Sequence, residues 1–183
     1  MSEKSIGLLE LTSVATGFQA LDAMLKTASV EVVLARSICS GKYLIIVAGD
    51  VGSVRASVMA GAHIEPLSVV NSELIARVHE KVFPALGGAT VPKLRGAFGC
   101  VESFSVVTGI RVADAVCKAA DVDLIELRAA MALGGKSFVT FTGDVGAVTA
   151  AVEAGKAVAG EDGLLVNAVV IPGPHPELVA EII

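Results

Sequence analysis

Hydrophobic and polar positions along the chain fall into short blocks whose period switches between strand and helix. Ser5–Leu11 reads as a strand, and Thr12-Ser13 supplies an N-cap for the helix after it. Val14, Phe18, Leu21, Leu25 and Ala28 recur at helical spacing and predict a buried stripe. Strands follow at Glu31–Ile38 and at residues 42–48, joined by the tight turn Cys39-Ser40-Gly41. Asp50 caps a second helix, which Gly61 is placed to end. A strand around residues 66–70 and a short amphipathic piece over 72–82 close the block. Residues 86–93, with Gly87, Gly88 and Pro92, read as a linker.

The whole pattern then repeats. Placing residues 6–33 over 98–125 puts Gly7 on Gly99, Glu10 on Glu102, Ser13 on Ser105 and Gly17 on Gly109. Asp22 falls on Asp114, Lys26 on Lys118 and Arg36 on Arg128. After about two extra residues in the second copy, Gly41-Lys42 matches Gly135-Lys136 and Gly49-Asp50-Val51-Gly52 matches Gly143-Asp144-Val145-Gly146. Glycines and charges kept in order over such a length mark an internal duplication. The expected domains are 1–91 and 92–183, each strand, helix, strand, strand, helix, strand and a short terminal helix. The second copy ends on a strand over residues 163–171 and a helix after the turn at 172–176. A three-residue turn between two strands makes a hairpin, so the predicted fold is an α/β fold of the α+β sandwich kind. Each copy carries an antiparallel four-stranded sheet with helices packed on it.

Composition narrows the setting. The 183 residues are 54% hydrophobic and 18% charged, with six Phe, one Tyr and no Trp, and the mean hydropathy is +0.74. Apolar runs such as 30–35 and 43–48 are far short of the ~20 residues of a spanning helix. The excess apolar surface is therefore expected in cores of small aliphatic residues and between subunits, with no membrane partner. A net charge of −5 and the absence of a basic run argue against nucleic acid. A strand beginning at Ser5 leaves no room for a secretory signal, and three unspaced cysteines predict neither a disulfide framework nor a zinc site. A reducing cytoplasm is the expected compartment.

Cys39 is the sharpest chemical feature. It sits in a glycine-bearing turn, where a thiol is accessible to a metal or a reagent, whereas its counterpart turn, Met131-Ala132-Leu133-Gly134-Gly135, carries no thiol. One cysteine cannot hold a metal; three brought together around the axis of a cyclic trimer would suit an iron–sulfur cluster. The residues alone leave that reading beside an ordinary loop thiol. Cys100 and Cys117 replace Leu8 and Leu25 and are expected to act as small hydrophobes. The Gly-Lys pairs lead into strands, not helices, and so do not form phosphate loops. His63, His79 and His175 fall at different points of the repeat, with no triad around Cys39. Asp22 with Lys26 and Asp114 with Lys118 form i,i+4 pairs, either solvated or part of a docking edge.

These residues resemble a known family. Ile6-Gly7-Leu8-Leu9-Glu10, the run from Asp22 to Ala28, the Gly-Lys hairpin turn and Gly-Asp-Val-Gly look like the bacterial microcompartment shell-protein domain, and both copies match. The Cys39-Ser40-Gly41-Lys42 turn and the ending Ile171-Pro172-Gly173-Pro174-His175 resemble the tandem-domain trimeric subtype of propanediol-utilisation organelles. The resemblance implies a homotrimer shaped as a hexagonal tile, packed against neighbouring shell proteins in the shell of a cytoplasmic organelle. The pore would be lined by Ser40, Gly41, Met131, Ala132, Leu133, Gly134 and Gly135. One 4Fe–4S cluster per trimer, held by one Cys39 from each subunit, would carry electrons across the shell. The iron left without a cysteine would accept an outside donor, such as an encapsulated or cytosolic redox protein. Lys26 and Lys118 match the family's tile-edge lysines, and Ser40 stands where the family form has proline, which implies a looser turn. Two other readings remain: a metabolite-pore tile without a cluster, and a ferredoxin-like regulatory domain or cysteine-dependent enzyme. An enzyme needs convergent acid–base groups at its nucleophile, and the sequence places none beside Cys39, so no catalytic residue is expected.

Overall fold

The computed structural model describes residues 4–90, 93–130 and 133–182. Two compact units divide it, Met1–Val78 and His79–Ile183. The first holds β1 (Ser5–Leu11), α1 (Val14–Thr27), β2 (Glu31–Ile38), β3 (Lys42–Gly49), α2 (Val51–Ala62) and β4 (Val69–Ile75). Its strands pair antiparallel in the order β2-β3-β1-β4. The second opens with α3 (Val82–Leu86) and continues through β5 (Ala97–Ser103), α4 (Val106–Ala119), β6 (Asp123–Ala129), β7 (Ser137–Gly143), α5 (Val145–Glu161), β8 (Leu165–Ile171) and α6 (Pro176–Ile182). Its sheet repeats the order as β6-β7-β5-β8, again antiparallel. The expected element order and sheet type are those observed.

Local chemistry explains the element boundaries. Ser13 Oγ accepts the Thr16 N–H at 3.3 Å and Ser105 Oγ the Thr108 N–H at 3.4 Å, which caps α1 and α4. Asp50 Oδ1 accepts the Ser53 N–H at 2.9 Å at the start of α2. The Ser53 hydroxyl, together with that backbone N–H, holds the Asp50 carboxyl below the usual carboxylate range. Asp144 occupies the same position before α5 but makes no side-chain cap bond.

Four sequence expectations need correction. The α1 stripe is buried at Gly17, Ala20 and Met24 instead, while Phe18 is 60% and Leu25 43% exposed. Small residues let α1 lie close to β3, and the large ones flank that contact. The equivalent positions of the second copy are Val106, Ile110, Ala113, Cys117 and Ala120; the first four are buried, while Ala120 caps α4 and is half-buried. Gly61 does not end α2, which runs to Ala62. A Cβ on Gly61 would stand 2.7 Å from Met24 Cγ and 2.9 Å from Leu9 Cδ2, so this glycine serves the close approach of α1 and α2. The strand expected around 66–70 is β4, Val69–Ile75; Pro66–Ser68 forms a 3-10 turn instead, because proline lacks the N–H a ladder needs. Finally, β4 matches β8 residue for residue, and the same step carries His79 onto His175. The two histidines are equivalent after all; α5 is longer than α2, and that extra length hid the match.

Candidate functional site

The β2–β3 turn follows from strand register. Ile38 pairs with Lys42, so three residues must reverse the chain. They form one 3-10 turn, Cys39–Gly41, in which Ser40 has φ 66° and ψ 23° and Gly41 has φ 71°. Such left-handed backbone suits glycine and costs serine about 1–2 kcal/mol. Proline, fixed near −65°, cannot adopt it, so this turn differs in backbone from one carrying proline after the cysteine. A Cβ on Gly41 would meet nothing within 4 Å, and Cys39 is half-buried. The turn places Cys39 at the end of the β2–β3 hairpin.

The counterpart turn is built otherwise. Ala130 has φ 55°, Gly134 61° and Gly135 93°, and the Lys136 N–H donates to the Leu133 carbonyl at 3.2 Å. Met131 and Ala132, expected beside the pore, lie outside the described residues. Gly134 and Gly135 also face open space.

Each turn rests on an ion pair that sequence reasoning did not assign. Lys42 Nζ lies 2.9 Å from Glu10 Oε1, and Lys136 Nζ 2.6 Å from Glu102 Oε1. The Glu10 side chain is only 6% exposed. The signal was present in the repeat, which keeps both the glutamate and the lysine.

The other cysteines are unsuited to ligation as thiolates. Burial, with Glu102 and Glu126 nearby, pushes the Cys100 thiol up to about 11. Burial pushes Cys117 up to about 12, partly offset by Lys81. His63 bonds the Met59 carbonyl, while Nδ1 of His79 and of His175 accept the N–H groups of Lys81 and Glu177. Among the described residues of one chain, no group of three or more His, Cys, Asp or Glu could hold a metal. A metal site at Cys39 would therefore need donors beyond the described residues of one chain. Its donor chemistry fits that role: one soft thiol per chain, on an open turn.

Lys26, expected at the edge, stands apart from the Cys39 turn. Lys26 closes α1 just before β2, at the opposite end of a strand about 25 Å long from Cys39. It pairs with Asp22 at 2.6 Å, both side chains well exposed. Lys118 pairs with Asp114, whose side chain is 9% exposed and also accepts the His79 N–H at 2.8 Å.

Comparison with known proteins agrees with this architecture. A BMC domain matches residues 5–78 and 97–174. The chain is 41% identical over 175 residues to the bacterial microcompartment shell protein PduT of Citrobacter freundii, covering 96% of this chain and 95% of that protein. It is similar to the crystal structure of a microcompartments protein from Desulfitobacterium hafniense DCB, with TM-score 0.93, 45% identity, and 98% and 99% of the two chains covered. Carboxysome shell protein CcmK2 of Thermosynechococcus vestitus is 37% identical over 82 residues, 43% of this chain and 80% of its own length. None of the described helices is long and apolar enough to cross a membrane.

Proposed function

The chain belongs to the BMC-domain family of bacterial microcompartment shell proteins, and from that premise we propose that three copies close into a pseudohexagonal tile whose pore binds one 4Fe–4S cluster through Cys39 of each. The observation that carries this reading is the mismatch between two otherwise matched turns. One is three residues long and holds a thiol, while the other is longer and rich in glycine. Alternating around a ring, they give three cysteines, where a perfect repeat would give six. Three thiolates suit a cluster with one iron left open to an outside donor. Bound there, the cluster would supply a one-electron carrier. The chain's own part is to hold Cys39 at the tip of a hairpin whose base the Lys42–Glu10 pair fixes. In the tile, Lys26 and Lys118 face neighbouring shell proteins across its edges.

The test is anaerobic reconstitution with iron and sulfide, read by visible absorption and by electron paramagnetic resonance of the reduced protein. The wild type is expected to show a cluster and Cys39→Ser to lose it, while Cys117→Ser, which changes a buried neutral thiol, retains it. No cluster in the wild type, or an equal one in Cys39→Ser, would leave a tile whose pore passes metabolites only.

A further inference from the structure

Lys81, Lys93 and Arg95 line one cavity of about 560 Å³ within the second unit. It opens between α3, the chain running from α3 to β5, and the start of β6. That is the far end of β6 from the Gly134-Gly135 turn. Pro84 and Leu124 give the cavity an apolar wall. Asp123 is the one acid among its described lining residues. Three cations therefore face one carboxylate, in a chain whose net charge is −5.

Two of the cations are fixed in position. Lys81 Nζ donates to the Val122 carbonyl at 2.7 Å and to Asp123 Oδ1 at 2.8 Å. The Arg95 guanidinium donates to Asp123 through one amino group and to Asp121 through the other, each at 3.0 Å. Both side chains retain further N–H donors. Asp121 does not line the cavity, and at 77% exposure its charge is screened by water. Lys93 has no hydrogen bond or ion pair with any described residue. The Thr90 hydroxyl is spent on the Ile125 carbonyl, which leaves recognition to the cations.

The first copy does not repeat this arrangement. The step that carries β4 onto β8 puts Glu177 at the place of Lys81. The register that puts Ile6 on Phe98 puts Glu3 at the place of Arg95 and Ser29 at that of Asp121. Two of the cations are thus acids in the other copy, while the glycines and helix caps of the repeat are kept. The cluster is not a requirement of the shared fold.

We propose that this cavity binds a small phosphate monoester. One guanidinium and two ammonium groups match the terminal oxygens of a phosphate dianion. The volume leaves room for a short carbon chain against Pro84 and Leu124. Neither the tile nor the cluster is needed for this site, so the loss of either reading leaves it standing.

Isothermal titration of the full chain with propyl phosphate at low salt tests it. Saturable binding is expected, and it should weaken as sodium chloride is added. Lys93→Gln should weaken it by about tenfold, the loss of one charge-assisted contact. That change gives up no bond to a described residue, and circular dichroism checks the fold. Lys156→Gln is the control, since it removes one positive charge from α5, where Lys156 pairs with Glu153. It should bind as the wild type does. Hydrogen exchange read by mass spectrometry should show propyl phosphate slowing residues 81–83 and 93–96 and leaving α2 unchanged. The absence of saturable binding, equal losses in the two lysine variants, or tighter binding of succinate than of propyl phosphate overturns the proposal.

Discussion

Lys42→Met is expected to destabilise the fold by about 3 kcal/mol, because it leaves the Glu10 carboxylate enclosed without its partner. Glu10 lies in the middle of a four-stranded sheet, between Leu44 on β3 and Asn71 on β4. Its side chain is 6% exposed, and Lys42, 28% exposed, brings the balancing charge to 2.9 Å. Breaking such a pair from one side costs more than replacing both members, so Glu10→Met added to Lys42→Met should restore most of the loss. The second copy provides a control. Lys136 and Glu102 are 37% and 29% exposed, water screens the orphaned carboxylate, and Lys136→Met should cost about 1 kcal/mol or less. Urea unfolding with linear extrapolation measures all three. Equal effects at Lys42 and Lys136 would contradict the argument.

Gly17→Val is expected to cost about 3 kcal/mol, at the upper end for an overpacked core. A Cβ at Gly17 would stand 2.7 Å from the Tyr43 Cβ. That atom is fixed to the backbone of β3 and cannot step aside. Tyr43 is 4% exposed, and its ring also packs against Phe18, with centroids 5.2 Å apart. A β-branched residue adds its own helix penalty. The opposite sign is expected at Gly160 in α5, where a Cβ meets nothing within 4 Å. There Gly160→Ala should gain about 0.5–1 kcal/mol from helix propensity alone. Thermal unfolding of the pair separates close approach from glycine content.

Much of the fold could be read from the chain because its signals are local. Capping serines, the three-residue hairpin turn and the alternation of strand and helix periods sit within a few residues of each other. Duplication let each copy confirm the other. What escaped depends on tertiary contact. Phe18 and Leu25 have the spacing of a buried stripe, yet α1 sets Gly17 against the Tyr43 ring and Met24 against Gly61 of α2, and those close approaches decide which face is covered. Periodicity identifies a helix face without saying which residues the partner has room for. The equivalence of His79 and His175 was hidden by the longer α5, and only strand pairing restored it. The Glu10–Lys42 pair needed the register of β1 on β3 before two distant charges became neighbours.

The candidate site was legible as a difference between copies. Cys39 stood out because Met131-Ala132-Leu133-Gly134-Gly135 has no thiol where the rest of the repeat agrees. The left-handed backbone at Ser40 was not legible, since serine carries no signal for it and a proline in that position would have implied another turn. Nor can one chain display a ligand set shared among several, because the donors that would complete it are further copies of the same residue.

Native mass spectrometry of the anaerobically reconstituted protein tests the central claim most directly. The account predicts a single species of three chains plus one 4Fe–4S cluster, and for Cys39→Ser the same three chains without it. Three wild-type chains free of iron after reconstitution, or a cluster carried on single chains, would contradict it.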